Sequence, residues 1–419
     1  MMQTAIRRSI PVGIIAAALA LAPSLPRAHQ GDDDEGRDEG RCGYRNRNFL
    51  VSHVSTLPAN VGQEVKLFVR ERGNSCGPPV LMLGGSTQPA VATFDLPYVA
   101  FDEHGRLDNY SWMTHLANAG FDVFVMEIQG YGLSTRPEVM NDPCNAAQAG
   151  RNLLNPELTK DCKATPDYGF FLTNNQSEWD QIDSVVNYIL AARHRERVNL
   201  VGWSQGVPRA GGYASEHPEK VERLLLYAPY YVRTDPSSLP VPQPGTPLSI
   251  NAVSAFFTRW DGQATCPNQF DPGVRVQLTA SIIESDPLAA TWGAPASGPL
   301  WRSPNFSVVY PNYFGWNSAA AAKLHMPILL IRGDNDTQVP LPLVKDLYRD
   351  VSSDSKVFVH VACGAHQLVW DRQHTRLLDA SVQWLKDGRY NGERNGCFAV
   401  DVNGVVTPDA TSSLTACGP

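Results

Sequence analysis

The sequence predicts an α/β fold on three observations. From Phe49 onward strand and helix signals alternate, the order that a sheet flanked by helices requires. The apolar run VLML at residues 80–83 ends at Gly84 and Gly85, as a buried strand does. One long stretch breaks the alternation and reads as a cap inserted between two core strands.

Taken in order, residues 49–55 and 64–70 read as an opening antiparallel hairpin, with Val65, Leu67 and Val69 on one face. After the strand at 80–83, residues 110–119 are helical and DVFVME at 122–127 is the next strand. Residues 177–192 form a helix whose apolar positions are Trp179, Ile182, Val185, Val186 and Ile189. A strand at 198–201, a helix at 205–216 and a strand at 221–227 follow. Two stretches interrupt this rhythm. Residues 137–168 follow a Gly-rich turn and carry Cys144 and Cys162, while residues 230–323 are Pro-rich and carry Trp260, Trp292, Trp301 and Trp316. The alternation resumes with a strand at 327–331, a helix from 341, a strand at 356–361 and a last helix at 374–386. The expected organisation is therefore a signal peptide at 1–28, an acidic leader at 29–48, a core at 49–229 and 324–390, a cap at 230–323 and a disulfide-tied tail at 391–419.

Composition narrows the class. Hydrophobic residues make up 43% of the 419 and charged residues 18%, which is globular and excludes wholesale disorder. The balance of 35 basic against 42 acidic residues, a net charge of −7, argues against a general nucleic-acid partner. No apolar run of about 18 residues lies beyond the first thirty positions, so no membrane span is expected in the mature chain.

The N-terminus reads as an export signal: Arg7 and Arg8 precede an apolar stretch from Ile10 to Ala22. Ala18-Leu19-Ala20 fits a small-x-small cleavage site, Pro23 disfavours a cut after Ala22, and Ala28 is a third option. The segment GDDDEGRDEGR at 31–41 has no apolar residue and is expected to be a disordered leader. Eight cysteines in an exported chain point to a disulfide set and a secreted or periplasmic location. Cys144 with Cys162 and Cys397 with Cys417 are local pairs; Cys42 with Cys76 would tie the ends of the first hairpin, leaving Cys266 with Cys363. Connectivity does not follow from sequence, so these are hypotheses. No C-x-x-C pair is present, and no metal site is expected.

The chemistry lies in four loops. Gly202-Trp203-Ser204-Gln205-Gly206 falls between a strand and a helix, where a sharp turn lifts the serine hydroxyl off the sheet and small residues two positions away let the backbone pass. A serine needs a base to take its proton, and the base needs an orienting carboxylate. Both are expected on later loops, in the order Ser, acid, His. After PILLI, Asp334 and Asp336 compete for the acid; Asp336 is the choice because Gly-x-x-Asp places it past the turn, leaving Asp334 to cap or brace that turn. After KVFVHV, His366 follows a Gly turn, whereas His360 lies inside the strand and His374 begins a helix. Two convergent backbone N–H groups must stabilise the oxyanion, one from the residue after the nucleophile. That residue is Gln205, and the second donor is expected from Ser86 in the Gly84-Gly85-Ser86 turn.

These residues resemble the α/β-hydrolase superfamily over about residues 49–390, through GWSQG, the Asp336 and His366 loops in order, and Gly130-Tyr131-Gly132-Leu133-Ser134. Many members carry a charged pair before that last motif; here Glu127 and Gln129 stand instead, and no catalytic role is carried over to them. The resemblance implies an α/β-hydrolase fold, with a mostly parallel eight-stranded sheet, helices on both faces, an acyl-enzyme mechanism and no cofactor. It points first to a serine hydrolase acting on a small carboxylic ester; the aromatic cap suggests an apolar or aromatic substrate, with Trp203 and the cap aromatics as possible substrate surfaces. The other expectation for Trp203 is that it packs behind the elbow. Exopeptidases, amidases, lactonases and β-diketone hydrolases can use the same triad; an exopeptidase would need a terminus-holding charge, for which Glu284 and Asp286 are available. A catalytically silent binding protein is the reading from another class.

Overall fold

The computed structural model describes residues 42–101, 105–233, 244–306 and 315–418. The expected signal peptide and residues 29–41 of the acidic leader lie outside these residues.

Ten strands form the main sheet: β1 Tyr44–Val54, β2 Glu64–Asn74, β3 Pro79–Leu83, β6 Asp122–Met126, β7 Val198–Trp203, β8 Val221–Tyr227, β11 Ile328–Gly333, β12 Lys356–Val361, β13 Gly396–Val400 and β14 Val406–Pro408. Two short hairpins complete the set, β4 Val99–Phe101 with β5 Leu107–Asn109, and β9 Leu248–Ala252 with β10 Leu300–Pro304. The sheet order is β1-β2-β6-β3-β7-β8-β11-β12-β13-β14. Its seven strands from β6 to β13 are parallel, and antiparallel strands finish both edges. Strands β3, β6 and β7 are buried at every position, which is why they are mostly apolar instead of alternating, with Asp122 and Asn199 as buried polar exceptions.

The sheet has ten strands, where eight were expected, and the difference lies partly in the tail. Residues 396–408 add β13 and β14, with Phe398 and Val400 buried and Cys397 bonded to Cys417. CFAV lies between turn-rich segments with no alternation around it, and it becomes a strand by pairing with β12. The first strand also starts earlier than expected, at Tyr44 inside the region assigned to the leader, because it pairs with β2 along its whole length from Tyr44↔Asn74 to Val54↔Glu64. The Cys42–Cys76 disulfide closes that end.

The helix Asn175–Arg193 starts at a capping box formed by Asn174 and Ser177. At its far end Arg193 bonds the buried Asp122 at 2.7 Å and pairs with Glu71. The helix Trp112–Asn118 is capped by Ser111 and reaches the last helix, His374–Asp387, through Trp112 Nε1 to Ser381 Oγ at 2.9 Å. The expected helix at 205–216 is not regular: residues Pro208–Gly212 form a π-helical turn before Tyr213–Glu216. Pro208 cannot donate a backbone hydrogen bond, and Gly211 and Gly212 lie directly against Trp316 and Trp179.

The two stretches that break the alternation pack against each other. Leu154 bridges Gly293, Ala146 bridges Leu248, and Met140, Leu154, Leu248, Trp292 and Leu300 share a second apolar cluster. Arg302 fastens the contact from inside: it pairs with buried Asp286 at 2.6 Å and donates to the Met140 carbonyl at 3.0 Å.

Candidate active site

Strand order and register place four loops at one edge of the sheet. The order reverses at β3, whose chain successor β6 pairs on one side while β7 and later strands lie on the other, and loops at such a reversal diverge to leave a crevice. Leu83 pairs with Gly202, Trp203 with Tyr227, and Gly333 with Val361, so the turns after β3, β7, β11 and β12 leave the sheet side by side.

Ser204 follows β7 with φ of 55°, a left-handed conformation that a serine adopts only when its surroundings impose it. The surroundings are the close crossing of strand and helix. A Cβ on Gly202 would lie 2.2 Å from the Gly206 carbonyl oxygen, and one on Gly206 would lie 2.1 Å from that of Leu83. Only glycine fits at either place. The Ser204 N–H donates to the Tyr227 carbonyl at 3.0 Å, which ties the turn to β8.

His366 Nε2 lies 3.0 Å from Ser204 Oγ, and its Nδ1 lies 2.9 Å from Asp336 Oδ2. The other Asp336 oxygen accepts the N–H groups of Gln338 at 2.8 Å and Val339 at 2.9 Å. Burial alone would raise the Asp336 carboxyl, but the facing His366, the Val339 N–H and Arg332 outweigh it and hold the group below the usual carboxylate range. Arg332 also braces this loop from below, donating to the Asp336 carbonyl at 2.5 Å and the Val339 carbonyl at 3.1 Å. The structure thus brings Ser204, His366 and Asp336 into one hydrogen-bonded chain. Asp334 is elsewhere, 2.9 Å from His360 Nδ1.

His366 is held by its backbone. The His366 carbonyl accepts from Trp203 Nε1 at 3.1 Å and from Tyr227 Oη at 2.6 Å, while its N–H donates to Gln263 Oε1 at 3.1 Å. Trp203 is 1% exposed and stacks on Tyr227, so it packs behind the elbow. Three tryptophans of the long insertion are engaged similarly. Trp260 donates to Asp371 Oδ1 at 2.8 Å, Trp301 to the Thr87 carbonyl at 2.6 Å and Trp316 to the Tyr230 carbonyl at 3.1 Å, and all three are fully buried. Their bulk is explained by packing and does not indicate an aromatic substrate.

The turn after β3 lies against the elbow, since a Cβ on Gly85 would sit 3.3 Å from Ser204 Cβ. Ser86 follows, with its carbonyl accepting from Gln88 N–H at 2.8 Å and Thr87 in a left-handed conformation. Arg209 supports the turn from beneath, donating to the carbonyls of Gly84 at 2.6 Å and Gly85 at 3.1 Å while making a two-point pair with Glu178. Glu127, which replaces the family's charged residue, accepts the N–H groups of Ala90 and Val91 at 2.9 Å, and burial pushes its carboxyl up to about 7. Gln205 is buried directly behind the serine. Nothing in the local sequence marks Gln263, Arg209 or Glu178, because their partners lie 31 to 125 residues away.

All four expected disulfides are present: Cys42–Cys76, Cys144–Cys162, Cys266–Cys363 and Cys397–Cys417. Among the described residues no group of three or more His, Cys, Asp or Glu side chains is placed to hold a metal ion, and no helix is long and apolar enough to cross a membrane.

Residues 78–373 match the family described as alpha/beta hydrolase fold. No curated protein matches the sequence. Similar solved structures include a serine hydrolase from the polyaromatic-hydrocarbon-degrading bacterium Cycloclasticus zankles, 13% identical over 83% of this chain and 100% of that one, with a TM-score of 0.48. A meta-cleavage product hydrolase from Pseudomonas fluorescens is 17% identical over 81% and 98%, with a TM-score of 0.47. A thermophilic esterase from Thermogutta terrifontis is 14% identical over 81% and 98%, with a TM-score of 0.45. Likenesses this distant carry no argument about substrate.

Proposed function

Because the chain belongs to the alpha/beta hydrolase fold family, we propose that it is a secreted serine hydrolase cleaving a carboxylic ester through an acyl-enzyme at Ser204. The observation that carries this reading is the chain of hydrogen bonds from Ser204 through His366 to Asp336, at 3.0 and 2.9 Å. Ser204 Oγ attacks the ester carbonyl as His366 Nε2 takes its proton, and the ionised Asp336 stabilises the imidazolium and fixes its tautomer. The N–H groups of Gln205 and Ser86 receive the developing oxyanion. Collapse expels the alcohol with the proton from His366, and water activated by the same imidazole releases the acid. No cofactor takes part in these steps. The stretch between β8 and β11 serves as the cap over this site, and the four disulfides support export to an oxidising compartment.

Of the two carboxylates an exopeptidase could use to hold an amino terminus, Asp286 is 1% exposed and paired with Arg302, which leaves the exposed Glu284.

A fluorophosphonate probe and a panel of p-nitrophenyl esters, aminoacyl anilides and lactones test the proposal. Ser204→Ala is expected to fold normally, to lose labelling and to lower ester turnover by roughly 10³-fold or more. Labelling elsewhere, or ester hydrolysis undiminished in the variant, would sink it.

A further inference from the structure

Gln263 lies in the insertion, just beyond the helix Val253–Asp261, yet it is 2% exposed and its side chain reaches both loops of the triad. Its single Oε1 accepts the backbone N–H of His366 at 3.1 Å and that of Thr337, the residue after Asp336, at 3.2 Å. Its Nε2 donates to Gln367 Oε1 at 3.3 Å and to the Arg259 carbonyl at 3.0 Å. The amide orientation is chemically forced, because turning it over would set an NH₂ against two backbone N–H groups and a carbonyl against two acceptors.

Around Gln263 the same segment is bonded to the same two loops. Gln269 Oε1 accepts from Asn335 at 3.3 Å, and the Gln269 carbonyl accepts the Arg372 N–H at 2.7 Å. Asp371 holds Trp260 on one oxygen and the Ala365 N–H, at 2.7 Å, on the other. The Cys266–Cys363 disulfide joins the segment to the loop three residues before the base. Sheet register alone brings β11 and β12 together only as far as Gly333↔Val361; Asp336 and His366 lie three and five residues beyond that last pair.

We infer that Gln263 is a positioning residue for the triad, setting the spacing of the Asp336 and His366 loops from the insertion, an inference that rests on the hydrolase reading above. One oxygen shared by the two loops makes their separation depend on a single side chain. It follows that the part of the insertion from Trp260 to Gln269 is a fixed roof over these loops, since moving it would break their hydrogen bonds.

The test uses the purified full chain with its disulfides intact. Gln263→Met keeps the length and removes the acceptor, Gln263→Asn keeps the amide but is one methylene too short to reach both N–H groups, and Gln263→Glu keeps an oxygen acceptor and lets Gln367 turn its amide to donate. Turnover of a p-nitrophenyl ester, the rate of fluorophosphonate labelling and the melting temperature are measured, with rates taken well below melting. The Met and Asn variants are expected to lose about 10- to 100-fold in kcat and in labelling rate with KM within about twofold, as a misplaced catalytic pair does. The Glu variant is expected to recover part of that loss, since it keeps the acceptor for the two loops but sets its other oxygen against the Arg259 carbonyl. A kcat within about twofold of wild type in either Met or Asn, or equal losses in Glu and Met, would overturn the inference. If the Met variant does not fold, the Asn and Glu variants decide it alone. Absence of labelling at Ser204 in the wild type is a different failure: it removes the hydrolase reading, and this inference with it.

Discussion

Asp334 Oδ1 lies 2.9 Å from His360 Nδ1, so the first of two neighbouring carboxylates after β11 is engaged with a histidine that does not face Ser204. Asp336, two residues on, is at the same distance from His366. Asp336→Asn is therefore expected to lower kcat by roughly 10³- to 10⁴-fold, because only this carboxylate can fix the tautomer of the base and stabilise its charged form. Asp334→Asn should keep turnover within about tenfold of wild type, a margin set well inside that loss. Steady-state kinetics on both variants check the assignment, and a reversed order of losses would show that the wrong carboxylate was chosen.

His360 gives the fold a pH dependence of its own. It is nearly buried between Asp334 and Asp409, whose Oδ2 lies 2.8 Å from Nε2. Burial alone would lower its pKa, but bonds to the two carboxylates outweigh burial and raise it. A raised histidine stabilises the fold fully below its unfolded value of about 6.5, and that contribution disappears as pH rises through the folded value. For Asp409, burial is outweighed by bonds from Ser412 and His360, which bring the carboxyl down to about 2. Its contribution is present above the unfolded aspartate range and is lost as pH falls toward 2. The melting temperature should fall as pH rises above about 6.5, and His360→Gln should flatten that slope. Thermal melts from pH 5 to pH 9 decide it, and an unchanged slope in the variant removes His360 as the cause.

Arg209 and Glu178 form a two-point ion pair beneath the Gly84–Gly85 turn, each side chain about 2% exposed. Removing one partner leaves a buried charge without its counterion, so Arg209→Met and Glu178→Gln should each destabilise the protein by about 3–5 kcal/mol. Arg209→Lys should also fail to restore the wild type, since an ammonium cannot hold Glu178 at two points and the turn carbonyls together. Because the turn leads to Ser86, kcat should drop as well, by about tenfold or more, in the range that losing part of an oxyanion hole produces. If stability falls while kcat per labelled serine holds, the guanidinium supports the fold alone.

The Cys266–Cys363 disulfide closes a sequence separation of 97 residues. Replacing both cysteines with alanine should cost about 2–5 kcal/mol of stability, with a further loss of turnover because the bridge joins the insertion to the His366 loop. Peptide mapping under non-reducing conditions should return a linked pair containing these two cysteines. A free thiol at Cys363 would remove this prediction and leave the triad assignment standing.

Much of the fold was legible because its signals are local. Strands buried on both faces are predominantly apolar, and that made β3, β6 and β7 readable as runs of four to six residues. The elbow was legible for a related reason: the backbone crossing at Gly202 and Gly206 excludes every larger residue, so the geometry is written into residue identity. Strand β13 was missed because Gly396–Val400 acquires its meaning only from pairing with β12. The role of the insertion's tryptophans was not legible, because an indole that fills a core and one that lines a cleft look alike in sequence until its N–H partner is known.

The sequence by itself determined the order of the core strands through β12, the serine on its strand-to-helix turn, and the loops that carry Asp336 and His366. Each of these depends on residues within a few positions of one another. Only the tertiary structure decided which histidine faces Asp334, what supports the Gly84–Gly85 turn, and that Gln263 joins both triad loops. Those contacts link residues 26 to 125 positions apart, and they exist only once parallel strands have fixed their register and brought distant loops to one edge of the sheet.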